Sequence, residues 1–186
     1  MVRSFRPLLR QSWFLPALLV AISAVGSWEF ACITPFVAFA VAAPYALSRR
    51  AALLTVTAVW LVNQTIGFGA LGYPWTVDTM LWGIAIGGSA LLATHVAASM
   101  LQLRIRSRIA GVGAAFVPAF AMYQGGLCLA SFALGSSAGF TPEIVGHVAL
   151  LNLGWTVALV GSYEVLRYSG ALAAVRRRGS SAPFPA

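Results

Sequence analysis

The chain has 186 residues, 60% of them hydrophobic and 9% charged, with a formal net charge of +8. Soluble domains run near 45–50% apolar and about 25% charged, so a soluble globular domain and a disordered chain are both excluded. The composition points instead to an all-α integral membrane protein. The apolar stretches are continuous and lack the alternation of barrel strands, and the length holds about six spans of ~20 residues with short connections.

The 12 basic residues are all arginine. They fall in four clusters: Arg3/Arg6/Arg10, Arg49/Arg50, Arg104/Arg106/Arg108 and Arg167/Arg176/Arg177/Arg178. In a soluble protein such an excess suggests nucleic acid. In a membrane protein it marks cytoplasmic loops and contact with anionic lipid, so no nucleic-acid partner is expected. Between clusters lie roughly 40–60 residues, room for two spans and a turn. The expected topology is six transmembrane helices in three hairpins with both termini cytoplasmic, a multi-pass protein of a bacterial inner membrane. The basic start before the first apolar run reads as a cytoplasmic flank rather than a signal peptide.

In chain order, helix 1 is expected over about Ser12–Ser27, with Trp28-Glu29-Phe30 as an outer turn. Thr34-Pro35 reads as an N-cap followed by proline at the first helical position, opening helix 2 through Leu47, with Ala31 as the earliest start. Helix 3 is expected from Ala51 to about Phe68, followed by a glycine-rich outer loop, Gly67 to Trp75. Thr76 looks like the cap of helix 4, with Asp78 in its first turn, where a carboxylate suits the positive helix end. Helix 4 runs to about Leu103 and helix 5 over about Ile109–Leu134. Thr141-Pro142-Glu143 repeats the cap signal and opens helix 6, which runs to about Arg167. Residues 1–178 thus form one six-helix domain, and the Ser/Pro-rich segment 179–186 a disordered tail.

Polar groups inside spans are costly and mark function more often than chance. Asn63 and Gln64 in helix 3, Tyr123 and Gln124 in helix 5, and His147 and Asn152 in helix 6 fall within the spans, most of them toward the outer face. With Trp28, Glu29, Tyr73, Trp75, Asp78 and Trp82 they are expected to converge on an outward-facing, substrate-binding pocket. The Trp28-Glu29 turn and the Gly67–Trp75 loop would form its lid. Aromatic rings there would stack on a flat ligand, amides and His147 would fix its polar edge, and Asp78 and Glu29 would suit some positive charge. The plainer reading makes Asn63, Gln64 and Asn152 interhelical hydrogen bonds worth about 0.6 kcal/mol each.

Other chemistry finds little support. His95 and His147 lie near 20 Å apart in depth, at about 1.5 Å per residue, too far to share one iron. Cys32 and Cys128 form no CxxC motif, so neither a disulfide framework nor a zinc site is implied. No metal, no cofactor and no catalytic constellation is expected. Small residues supply packing signals: Gly83-x-x-x-Gly87 in helix 4 and Ala17-x-x-x-Ala21, extended by Ala24, in helix 1.

A basic six-helix protein of this length with an A-x-x-x-A stripe on helix 1 resembles the substrate-binding S component of energy-coupling factor (ECF) transporters. Thr34-Pro35 followed by Ala38 also resembles uncharacterised relatives of those proteins. The resemblance implies capture of a small, vitamin-like solute on the outer face. It implies docking of a transmembrane coupling subunit on Ala17 and Ala21, and partner ATPases, since this chain has no P-loop. S components for nickel or cobalt carry a histidine after the start methionine; Val2 stands here, so metal uptake is not implied. The rival expectations are an accessory subunit of a larger energy-conversion complex and an intramembrane enzyme using Glu29, Asp78 or His147. An exposed small-residue face on helix 1 and a polar cavity below the outer loops favour the first reading over the enzyme.

Overall fold

The computed structural model describes residues 14–30, 34–103, 105, 107–135 and 140–168, with the backbone alone at 14 and 26–30. Six helices follow one another: α1 (Phe14–Phe30), α2 (Phe36–Ala46), α3 (Arg49–Gly69), α4 (Val77–Met100), α5 (Arg108–Leu134) and α6 (Pro142–Tyr168). The last four are each long and apolar enough to cross a membrane. The protein is therefore all-helical and suited to a multi-pass membrane setting. Large apolar side chains such as Leu54, Ile84, Leu129, Phe132 and Val157 point outward from these four helices, so the surface is as apolar as lipid requires. The terminal arginines 3, 6, 10 and 176–178, loop arginines 104 and 106, and the tail at 179–186 lie outside the described residues.

Local signals explain the starts of α3, α4 and α6. The Ser48 hydroxyl accepts from the Ala51 amide at α3, the Thr76 hydroxyl from Thr79 at α4, and the Thr141 hydroxyl from Ile144 at α6. Each satisfies one of the amides a helix start leaves without a partner. Buried hydroxyls elsewhere are quenched locally. Thr55, Thr94 and Thr156 donate to carbonyls one turn back in their own helices. Among the described residues no buried side-chain nitrogen or oxygen is left without a partner.

Helix α2 departs from the expected second span. Its 11 residues reach about 16 Å, half the hydrocarbon thickness. Phe36 through Ala43 are buried on every side, as expected of a helix that is apolar all round. It is the axis of the bundle: α3, α4, α5 and α6 all pack against it. The first and third hairpins are consequently not packed pairs. Helix α1 lies along α3 with little contact to α2, and α5 barely meets α6.

The start of α2 also differs from the local cap expected. Pro35, not Thr34, is the N-cap residue, and no local side chain caps it. Instead Asn152, 115 residues away on α6, accepts from the Val37 amide at 3.0 Å and the Ala38 amide at 3.2 Å. Its own amide donates to the Val148 carbonyl at 2.9 Å. Thr34 accepts from Asn63 of α3 at 2.7 Å. Asn152 lies about 15 Å from the start of α6, deep in the bundle. Non-helical backbone at that depth is tolerated because it is enclosed by protein and its polar groups are paired.

Helix α4 packs most extensively against α5, where Gly126 leaves room for the Ser89 side chain. The Gly83/Gly87 pair does not serve a backbone-to-backbone crossing. It seats two large side chains of α3. A Cβ at Gly87 would lie 2.6 Å from the Trp60 ring, and one at Gly83 would lie 2.6 Å from Gln64 Oε1. Trp60 also donates to the Gly83 carbonyl at 2.8 Å.

Candidate functional site

The two ends of the bundle carry different chemistry. Arg49, Arg108 and Arg167 lie at the end where α3 and α5 begin and α4 and α6 finish. Asp78 and Glu143 lie at the opposite end, in the first turns of α4 and α6. Because α2 stops short of this acidic end, a cavity of about 180 Å³ remains near its N-terminus.

Four elements build the cavity. Thr34 and Phe36 come from the start of α2, Asn63 and Gln64 from α3, Thr79 and Trp82 from α4, and Tyr123 from α5. Tyr73, from the loop between α3 and α4, completes the wall. Gln64 donates to Asn63 at 3.3 Å and Asn63 donates to Thr34 at 2.7 Å, so the polar wall is an ordered chain of neutral groups. The Phe36 and Tyr123 rings stand 6.2 Å apart and tilted by 33°. Among the described residues no charged side chain lines the cavity.

The Tyr73 loop is shorter and more fixed than a glycine-rich lid. Gly67 and Gly69 belong to α3. Gly67 is needed for close approach rather than for freedom: a Cβ there would lie 2.5 Å from the Tyr73 ring. The Tyr73 amide donates to the Gly67 carbonyl at 3.0 Å, and its ring meets Phe68 edge-on. Gly72 has φ of +70°, a left-handed turn position that glycine adopts without strain.

Of the residues expected in one pocket, Asn63, Gln64, Tyr73, Tyr123 and Trp82 share this cavity. The rest are placed elsewhere. Trp75 is 73% exposed and meets the Phe68 ring at a tilt, centroids 4.8 Å apart, outside the cavity. Asp78 is exposed in the first turn of α4, where it complements the helix dipole. Asn152 faces inward and is engaged by α2. His147, five residues earlier, is rotated by about 140° at 3.6 residues per turn, and is exposed. Gln124 is half-buried and turned about 100° from Tyr123 by the same geometry, off the cavity wall. The side chains of Trp28 and Glu29, and Cys32, lie outside the described residues. The pocket is therefore bounded by α2, α3, α4 and α5, not by α3, α5 and α6. Thr34, Phe36 and Thr79 are additional wall residues. The break at Thr34-Pro35 was the only sequence signal pointing to the first two.

His95 lies at the arginine end, with Nδ1 2.7 Å from Arg49 Nη2. It and His147 thus occupy opposite ends of the bundle. On helix 1, Ala17 and Ala21 are both exposed, and Ala24 is half-buried.

The chain matches no protein-family model. Neither a curated protein nor a solved structure shows significant similarity to it.

Proposed function

We propose that this protein captures a small neutral solute within the membrane, as a subunit resembling an ECF-type S component, and is not itself an enzyme. The observation that carries this reading is the cavity near the buried start of α2, whose described lining residues are all uncharged. An engineered cavity of about 150 Å³ holds benzene, so 180 Å³ suits a single-ring compound. Phe36, Tyr73, Trp82 and Tyr123 offer faces and edges to a flat ring, while Asn63 and Gln64 offer amide hydrogen bonds to its rim. The exposure of Asp78 outside the cavity removes one reason to expect a cationic ligand.

The exposed Ala17/Ala21 face supports docking of a membrane coupling subunit, because small residues allow a partner helix to approach closely. Energy for uptake then comes from partner ATPases. In this reading the chain crosses a bacterial inner membrane six times. The arginine end and both termini face the cytoplasm, and the cavity faces outward.

The test is purification of the full chain in mild detergent, with mass spectrometry of bound small molecules and co-purifying subunits. Wild type is expected to retain one neutral ring compound. Gln64→Leu or Trp82→Ala should lower its occupancy about tenfold, the effect of losing one well-made contact in a dry site. Equal occupancy in wild type and both variants, or no bound compound in any of them, overturns the reading.

A further inference from the structure

The largest cavity among those described is not the one near α2's N-terminus. It is a lateral groove of about 580 Å³ between α5 and α6, where the two helices barely meet. Its walls are apolar: Val112 and Phe116 from α5, Leu153, Val157 and Val160 from α6. Gly113 and Gly161 widen it, since a Cβ at either position meets no atom within 4 Å. From Leu153 to Glu164 it runs about 16 Å along α6, at 1.5 Å per residue.

At the arginine end the groove meets a second recess of about 310 Å³, beneath the C-terminus of α2 and the loop after α4. Tyr45, Ser107 and Arg108 line both, so groove and recess adjoin at the arginine end, where the otherwise apolar groove becomes polar. The mouth is charged. Glu164 accepts from the Tyr45 hydroxyl at 2.6 Å and pairs with Arg167 at 2.8 Å. Arg108 stands 3.8 Å from the same carboxylate with its side chain 66% exposed. Two guanidiniums against one carboxylate leave one net positive charge, on a side chain that Glu164 does not saturate.

We propose that groove and recess together bind one anionic glycerophospholipid from the bilayer, with an acyl chain along α5–α6 and its singly charged phosphodiester at Arg108 and Ser107. Size argues for a chain rather than a helix. A helix 10–12 Å wide fills about 1,250–1,800 Å³ over 16 Å, two to three times the groove. Charge argues for the lipid class: a net cation at the interfacial end of an apolar slot is complementary to an anionic headgroup, at about a fivefold gain per arginine.

The test is native mass spectrometry of the full chain released from micelles doped with equal phosphatidylglycerol and phosphatidylethanolamine. Wild type is expected to keep one phosphatidylglycerol in preference to phosphatidylethanolamine. Arg108→Gln should reduce that preference about fivefold. Gly113→Phe with Gly161→Phe, filling open space, should abolish retention of either lipid while circular dichroism shows unchanged helix content. Should that double variant fail to fold, Arg108→Gln decides alone. Equal retention of the two lipids by wild type, a preference unchanged by Arg108→Gln, lipid retention that survives the folded double variant, or a dimer that the double variant splits each overturns the proposal. None of these outcomes depends on the solute cavity near α2's N-terminus.

Discussion

At its N-terminal end α2 hands two amides to Asn152 and borders a cavity whose described lining residues are uncharged. At its C-terminal end Tyr45 meets Glu164, flanked by Arg108 and Arg167. One buried helix thus has a neutral polar end and an ionic one, and depth accounts for the difference. The first lies well inside the bundle, where an unpaired charge is far costlier than a neutral amide. The second reaches the level of the arginines, where water and headgroups stabilise ions. The comparison also separates two kinds of opening. The cavity exists because α2 is short, the groove because α5 and α6 diverge.

The largest expected effect lies at the neutral end. Asn152→Leu leaves the Val37 and Ala38 amides buried without an acceptor, and each such group costs about 1–3 kcal/mol. A loss of about 2–4 kcal/mol is expected, read by denaturant titration in detergent micelles with tryptophan fluorescence. Asn63→Leu, removing the hydrogen bond to Thr34, should cost about 1 kcal/mol by the same measurement. Equal stability of wild type and Asn152→Leu would mean that the cross-helix cap does not hold α2 in place.

The amino-acid sequence reveals where the helices lie far better than what holds them together. Helices α3 to α6 are expected to within about three residues, because long apolar runs and local caps such as Thr76 and Thr141 mark their ends. The bounds of α2 fall within about one residue of those expected, but its cap is misjudged because it comes from another helix. Thr34-Pro35 looks like a complete local start signal, yet the acceptor is Asn152. The candidate site shows the same limit. Asn63, Gln64 and Tyr123 share a wall because their helix phases agree, whereas His147 shares the depth of the acidic end but faces away. Depth follows from counting residues; phase toward a neighbour follows only from packing.

A middle-sized effect tests whether helix phase also governs the glycines of α4. Gly87 and Gly88 are adjacent, and only the first belongs to the Gly83-x-x-x-Gly87 pattern. A Cβ at Gly87 would lie 2.6 Å from Trp60, whereas one at Gly88 meets nothing within 4 Å. Gly87→Leu should therefore cost about 1–3 kcal/mol, the range for overfilling a packed seam. Gly88→Leu, facing outward, should stay within about 0.5 kcal/mol of wild type. Chemical denaturation of both variants in the same detergent gives the comparison. If both lose stability alike, α4 does not present the face described to Trp60.

The smallest effect is expected at the ionic end. Glu164 holds the closest ion pair there, to Arg167 at 2.8 Å, together with the Tyr45 hydroxyl. That concentration of contacts makes it look like a structural keystone. Yet it sits one turn from the end of α6, where solvent and salt screen the pair, and Tyr45 can exchange the carboxylate for water or for a neutral amide. Glu164→Gln keeps the shape and an acceptor for Tyr45. It should therefore shift the unfolding midpoint far less than Asn63→Leu, with the small difference shrinking further as salt is raised. A shift in Glu164→Gln as large as that of Asn152→Leu, and insensitive to salt, would place this cluster inside the hydrocarbon rather than at its edge. The contrast between the two ends of α2 would then need a cause other than depth.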